Sequence, residues 1–211
     1  MYKSRILYTG LEMPLAYEVL SAKHVPFIEV VPRSSEDLSI KRCLAEFDKY
    51  THIIFTSKCA ASIFLSFQKI KMKKVIVVGK GTEGRILSLG GVVHKVAKEE
   101  TAEGVVQLLS QEIRENPNAY FLWPHAAKVR PVIRDWLHGH AISHDECILY
   151  DTHTRKLESV PLLNQFDEIV FTSPSTVDAF LEIYGTHPVE KRIKLTAIGP
   201  ITQAKVKCCL A

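Results

Sequence analysis

Short apolar runs alternate with stretches of helical spacing from one end of the chain to the other. His52 to Thr56 and Val75 to Val78 are near-continuous apolar runs, the kind that fits strands buried on both faces of a parallel sheet. Behind the first, Ile63, Phe64 and Phe67 share one helical face. Behind the second, a helix is expected over Thr82 to Leu89, stopped at Gly90–Gly91, where left-handed backbone is cheap. Upstream, Arg5 to Tyr8 reads as a strand. Pro14 opens a helix through Lys23, and Val25 to Val31 reads as a strand stopped by Pro32. Polar Arg33 to Ser39 is a first linker candidate.

Downstream, Val92 to Val96 is a further strand. Thr101 caps a helix with Val105, Leu108, Leu109 and Ile113 inward, ending at Asn116–Pro117–Asn118. Tyr120 to Trp123 is a strand, and a helix carrying Val129, Ile133, Trp136 and Leu137 ends at Gly139. Glu146 to Tyr150 is a strand, and polar Asp151 to Ser159 is the second linker candidate. A strand at Glu168, a helix to Tyr184, a strand from Leu195 and a last helix close the chain. The expected class is α/β, with parallel sheets flanked by helices.

The pattern repeats. Tyr50 to Phe67 and Phe166 to Ile183 share six of eighteen residues, with the Phe-Thr-Ser core in register. Val75 to Ile86 matches Leu195 to Val206, with Gly79 opposite Gly199. The first pair is offset by 116 residues and the second by 120, too long for a solenoid period, so the reading is two similar domains. The residues by themselves fit tandem domains bordering near Asn116, or an interleaved arrangement.

Each echo places hydroxyl residues where an apolar strand turns into a helix. Ser57 and Ser173 are caps, and Pro174 and Pro200 stand at first helical positions. Helix starts present unpaired N–H groups and partial positive charge, which attract carboxylates or phosphates. In parallel sheets these starts lie along the carboxyl edge, where ligands bind. The glycine turn around Gly79 lacks the Gly-Lys-Ser/Thr ending and the G-x-G-x-x-G spacing of nucleotide sites.

Composition narrows the class. The chain has 211 residues, 46% hydrophobic, a formal charge of +4 and a pI near 8.7. That is an ordinary globular balance, mildly favourable to anions. With no arginine-rich run and no basic–aromatic interleaving, no nucleic-acid partner is expected. No apolar run approaches a membrane span and the start lacks a signal-peptide pattern, so the expectation is a cytoplasmic protein without a membrane partner. Five cysteines, without C-x-x-C, read as reduced thiols. His138, His140 and His144 form an H-x-H-x-x-x-H run that could ligate zinc, but they straddle a helix end at Gly139 and are taken as a solvated loop, so no metal is expected. Cys59 lies in a helix's first turn, but its counterpart is Ser175, so a catalytic thiol is unsupported. Tyr150 ends an apolar strand beside a polar stretch, where a phenol could donate a proton.

Taken together, Phe-Thr-Ser at Thr56, Val-Gly-Lys-Gly-Thr at Gly79, Thr-Ala-Glu-Gly at Thr101, Tyr-Asp-Thr at Tyr150, Phe-Thr-Ser-Pro-Ser at Ser173 and Ile-Gly-Pro-Ile-Thr at Thr202 resemble the uroporphyrinogen-III synthase family over nearly the whole chain. The resemblance implies two similar α/β domains joined by a two-stranded linker, with the active site in the inter-domain cleft. It places one discontinuous domain at 1–32 and 156–211, the other at 36–148, and linkers at 33–35 and 149–155. It implies cyclisation of linear hydroxymethylbilane to uroporphyrinogen III, with inversion of ring D and loss of water, without a cofactor, by a monomer acting on a polycarboxylate tetrapyrrole. Tyr150 matches the family's tyrosine that assists departure of the hydroxyl. Thr56, Ser57, Lys58, Gly79, Thr82, Thr101, Ser173, Ser175, Ile201 and Thr202 are the implied substrate-binding set. Lys58–Cys59 stands where the family often has Pro-Arg, His125 where it often has arginine, and Ile201 where it often has threonine. After the last helix no counterpart of Val92–Val96 or of the Thr101 helix follows, so the first domain is expected to lack an edge strand or helix. The competing reading is a non-enzymatic binder of a small polyanion. A nucleotide-dependent transferase would want a phosphate loop and metal carboxylates that the residues do not supply.

Overall fold

The computed structural model describes residues 5–185 and 189–210. The chain divides into two compact units, Met1–Val30 with Thr152–Ala211, and Val31–Asp151. The unit border is therefore not near Asn116, which caps the end of a helix inside the second unit.

The chain opens with β1 (Ile6–Tyr8), buried throughout, and the short helix α1 (Leu15–Val19) behind Pro14. The helix expected through Lys23 stops early, because Ser21 adopts φ 57° and turns the chain back. Lys23–His24 then forms β2, parallel to Leu7–Tyr8. β3 (Ile28–Pro32) follows. The stretch read as a polar linker contains the start of a helix, α2 (Leu38–Ala45), whose Asp37 cap accepts Ser39 N–H. Its buried face is only Ile40 and Cys43, too narrow a stripe to stand out in sequence.

β4 (His52–Phe55), α3 (Lys58–Phe67), β5 (Lys74–Val77) and α4 (Lys80–Ser88) come next. β6 is only Lys95–Val96, shorter than the run from Val92. α5 (Ala102–Glu115), β7 (Phe121–Ala126), α6 (Val132–Gly139) and β8 (His144–Thr154) complete this part. β8 runs three residues beyond Asp151, through half of the second linker candidate. β9 (Glu168–Phe171), α7 (Pro174–Tyr184), β10 (Lys194–Ala197) and α8 (Pro200–Cys209) end the chain.

The larger sheet has the strand order β3-β8-β7-β4-β5-β6, with the pairs β8-β7, β7-β4, β4-β5 and β5-β6 parallel, and all of it except Ile28–Val30 and Thr152–Thr154 belongs to Val31–Asp151. β4 and β7 are buried at every residue, as strands covered by helices on both faces must be. Trp123, Phe121, Ile54, Leu109 and Leu137 form its core. The other unit carries β10-β9-β1-β2, all parallel, packed around Leu7, Phe27, Ile169, Phe171 and Phe180. The repeat is therefore structural: β4-α3-β5-α4 and β9-α7-β10-α8 have the same order and the same parallel pairing. β5 has β6 beyond it, whereas β10 is an edge among the described residues.

Candidate active site

The carboxyl edge of the larger sheet gathers most of the expected residues. β4 ends at Phe55, and the next two residues carry hydroxyls. Thr56 Oγ1 accepts the Trp123 indole N–H at 3.3 Å. Ser57 is extended and caps α3, its Oγ accepting Ala60 N–H at 3.0 Å. The same Oγ lies 3.0 Å from the Tyr150 hydroxyl.

Tyr150 reaches Ser57 because of a β-bulge. β7 and β8 pair regularly to His125–Ile148, then slip so that Ala126 faces Tyr150. A bulge re-aims the side chain that follows it. Ala127 N–H closes the turn by donating to Tyr150 O at 2.9 Å. Tyr150 is 6% exposed. Burial pushes its phenol pKa up, and the Ser57 hydrogen bond only partly opposes this. The phenol therefore holds its proton throughout the neutral range.

Two further helix starts adjoin. Gly79 is the cap of α4, with no side-chain cap bond of its own. Instead, Lys80 N–H donates to Glu100 Oε1 at 2.8 Å. A Cβ at Gly79 would lie 2.3 Å from Glu100 Cδ, so the glycine gives this carboxylate its approach. Lys58 leans over the same turn, its Cε 3.4 Å from a Cβ built at Gly81. Thr82 is buried within α4. Thr101, next to Glu100, caps α5 by accepting Gly104 N–H at 3.1 Å. A Cβ at Gly104 would lie 2.1 Å from Glu99 O, which explains the glycine of Thr-Ala-Glu-Gly. Arg130 clamps Glu103 of that motif through two bonds of 2.6 and 2.8 Å and holds its carboxyl down at about 2.

In the smaller sheet's unit, Ser173 and Thr176 form a capping box at α7, with Pro174 at its first turn. Thr176 Oγ1 donates to Ser173 O and accepts Thr172 and Ser173 N–H, so it is fully engaged. Ser175 is half-buried in the first turn of α7. Gly199 caps α8 at φ 85°, a left-handed conformation that favours glycine, and again no side-chain cap bond forms. Ile201 is half-buried, and Thr202 is 3% exposed. Gly10 packs against Thr172, a Cβ there lying 2.5 Å from its Cγ2. Tyr8-Thr9-Gly10 is thus a third hydroxyl–glycine turn, legible in sequence as the same signal at the end of β1.

The structure joins Thr56, Ser57 and Tyr150 through Trp123 and the bulge, sets Gly79 against Glu100, and brings Lys58 over Gly81 of the same turn. It places Thr82 and Thr202 as buried hydroxyls in their helices. His125 is 1% exposed and bonded to Glu146 at 2.9 Å and to Ala126 O at 2.7 Å, so it does not present a cation as an arginine would. Glu100 was not legible as a site residue, since its role depends on a turn twenty residues away.

The family model described as uroporphyrinogen-III synthase HemD matches residues 19–209. Among solved structures, a mutant uroporphyrinogen III synthase from the extremely thermophilic bacterium Thermus thermophilus aligns with TM-score 0.66 at 14% identity, covering 97% of this chain and 88% of that one. The uroporphyrinogen-III synthetase of Helicobacter pylori aligns with TM-score 0.64 at 15% identity, with the same coverage of both chains. Comparison with curated protein sequences gives no match.

Proposed function

The chain belongs to the uroporphyrinogen-III synthase HemD family, and from that premise we propose how its own residues turn hydroxymethylbilane into uroporphyrinogen III in haem biosynthesis. The observation that carries the reading is the buried Ser57–Tyr150 pair beside helix starts.

Tyr150 donates its proton to the hydroxyl of the hydroxymethyl group on ring A. The C–O bond breaks, water departs, and the pyrrole nitrogen supplies the electrons, giving an azafulvene. The substituted α-carbon of ring D attacks the azafulvene methylene to give a spiro intermediate; cleavage of ring D's original methylene bond and reclosure at its free α-carbon invert ring D. Loss of a ring proton completes the product and can restore the phenol. Ser57 orients the phenol at 3.0 Å.

Carboxylates of the substrate bind at helix starts. The geometry ranks these starts. The starts of α3, α4 and α7 already hold a side-chain acceptor, Ser57, Glu100 and Ser173, whereas the glycine-capped start of α8 has no side-chain cap. We therefore assign the firmest carboxylate contact to the backbone around Ile201–Thr202, and a second, in which the substrate competes with Glu100, to the backbone around Gly79–Thr82, with Lys58 adding charge there. Thr56, Thr101, Ser173 and Ser175 shape the rim. Catalysis is mainly conformational: holding the chain so that one closure is reachable replaces a search over many.

The border of the two compact units at Asp151–Thr152 supports reading 149–155 as one linker, and their other border, at Val30–Val31, falls just before 33–35. A monomer suffices, because one chain supplies every group named. No described helix is long and apolar enough to cross a membrane. The free thiols of Cys43 and Cys147 fit a reducing cytoplasm.

The test is incubation of chelator-treated protein with enzymatically generated hydroxymethylbilane, followed by isomer analysis of the oxidised porphyrin. The III isomer is expected. A product mixture identical to spontaneous closure, which gives the I isomer, would sink the reading.

A further inference from the structure

We propose that His138, His144 and Glu146 form a surface site for one divalent cation of the zinc class, separate from the cyclisation chemistry. Two elements bring the three together. His138 lies in the last turn of α6, and the chain turns back through Ala141 at φ 51° into β8. His144 and Glu146 are two apart on β8, so they share one face of the strand. The rings of His138 and His144 meet edge-on with centroids 4.7 Å apart. One donor atom from each of the three residues lies within 4.8 Å of the other two. Small side-chain rotations bring such atoms to the spacing of ligands around one ion.

The surroundings are those a metal site needs. His144 Nδ1–H donates to Ile142 O at 2.7 Å. A carbonyl only accepts, so the proton sits on Nδ1 and Nε2 keeps its lone pair. Glu146 is held in place by Arg134 at 2.6 to 3.0 Å and by His125 at 2.9 Å. His140, the third histidine of the run, is elsewhere: it stacks on Trp136 and bonds Trp136 O at 2.8 Å. Two imidazoles and one carboxylate are a borderline set that selects zinc, cobalt, nickel or copper over magnesium or calcium. Arg134 shares the carboxylate and weakens the site, so binding should be reversible and readily stripped by a chelator.

The experiment titrates Zn²⁺ into the full chain against a chromophoric chelator and records the absorption spectrum of the Co²⁺-loaded protein. Four proteins are compared: wild type, His138→Ala, His140→Ala and a Cys208→Ser/Cys209→Ser double variant. His138 is exposed, and circular dichroism checks that its variant folds. Wild type, His140→Ala and the thiol variant should each bind one ion. His138→Ala should bind about tenfold or more weakly, since loss even of an outer-shell partner costs roughly 10- to 100-fold. The Co²⁺ spectrum should show no thiolate charge-transfer band. No saturable binding by wild type, equal binding by His138→Ala, or loss of binding in the thiol variant would each overturn the proposal.

Discussion

Replacing Tyr150 by Phe removes one oxygen from a side chain that is 6% exposed and leaves its ring in place. The structural cost is small. Ser57 keeps its bond to Ala60 N–H at 3.0 Å, so no buried hydroxyl is orphaned. One hydrogen bond is lost, worth about 1 kcal/mol net. For a chain of this length that lowers Tm by roughly 2–4 °C. The catalytic cost should be larger. A hydrogen bond to a group developing charge is worth about 1.5–3 kcal/mol, which converts to a fall in kcat of roughly 10- to 150-fold. Complete loss is not expected, because this hydroxyl also leaves in water. KM should change little, since proton donation is felt in the transition state. Steady-state kinetics on hydroxymethylbilane, with thermal unfolding alongside, measures all three quantities. Full turnover by Tyr150→Phe together with abolished turnover by a folded Thr202→Ala would refute the assignment and give the chemistry to the helix starts.

Other outcomes follow from the same geometry. Glu100→Ala should lower KM, because the variant vacates the α4 start that Lys80 N–H now shares with Glu100; an unchanged or raised KM would count against a carboxylate site there. On the alkaline side, burial raises the Tyr150 pKa, so its proton-donating form persists as pH rises. A kcat profile losing activity through a group titrating at or below about 10, the ordinary phenol value, would contradict Tyr150 as donor. In acid, burial alone would raise the Glu112 pKa, but hydrogen bonds from Lys95, His52 and Lys74 outweigh it and bring it down to about 2. The unfolded value is about 4.3, so the carboxylate contributes about 3 kcal/mol that is present above that pH and lost as pH falls towards 2. Glu112→Gln should be less stable at neutral pH and flatter across that window, and equal acid sensitivity in both proteins would refute the account.

Much of this was legible because it depends on local chemistry. The apolar strands at His52–Phe55 and Glu168–Phe171, the caps at Ser57, Thr101 and Ser173, and the glycine starts at Gly79 and Gly199 are short-range signals. What stayed hidden depends on distant partners. α2 buries only Ile40 and Cys43. β2 exists because Ser21 turns the chain back onto β1, which no apolar pattern announces. Tyr150 reads in sequence as a strand end, whereas β8 continues to Thr154 and Tyr150 lies at a bulge within it, opposite His125 and Ala126, on which its approach to Ser57 depends. The histidine run reads in sequence as one solvated loop, yet it splits, with His140 on Trp136 and the other two beside Glu146. Sequence spacing could not anticipate a ligand supplied by the next strand.

The central claim is that this chain steers ring closure by holding the substrate, while Tyr150 only hastens departure of the hydroxyl. The isomer ratio of porphyrin formed by wild type and by Tyr150→Phe, followed over time from hydroxymethylbilane, separates the two roles. The account predicts the III isomer from both proteins, formed more slowly by the variant. Predominant I isomer from wild type would contradict the activity, and predominant I isomer from a folded, substrate-binding Tyr150→Phe would contradict the division of labour.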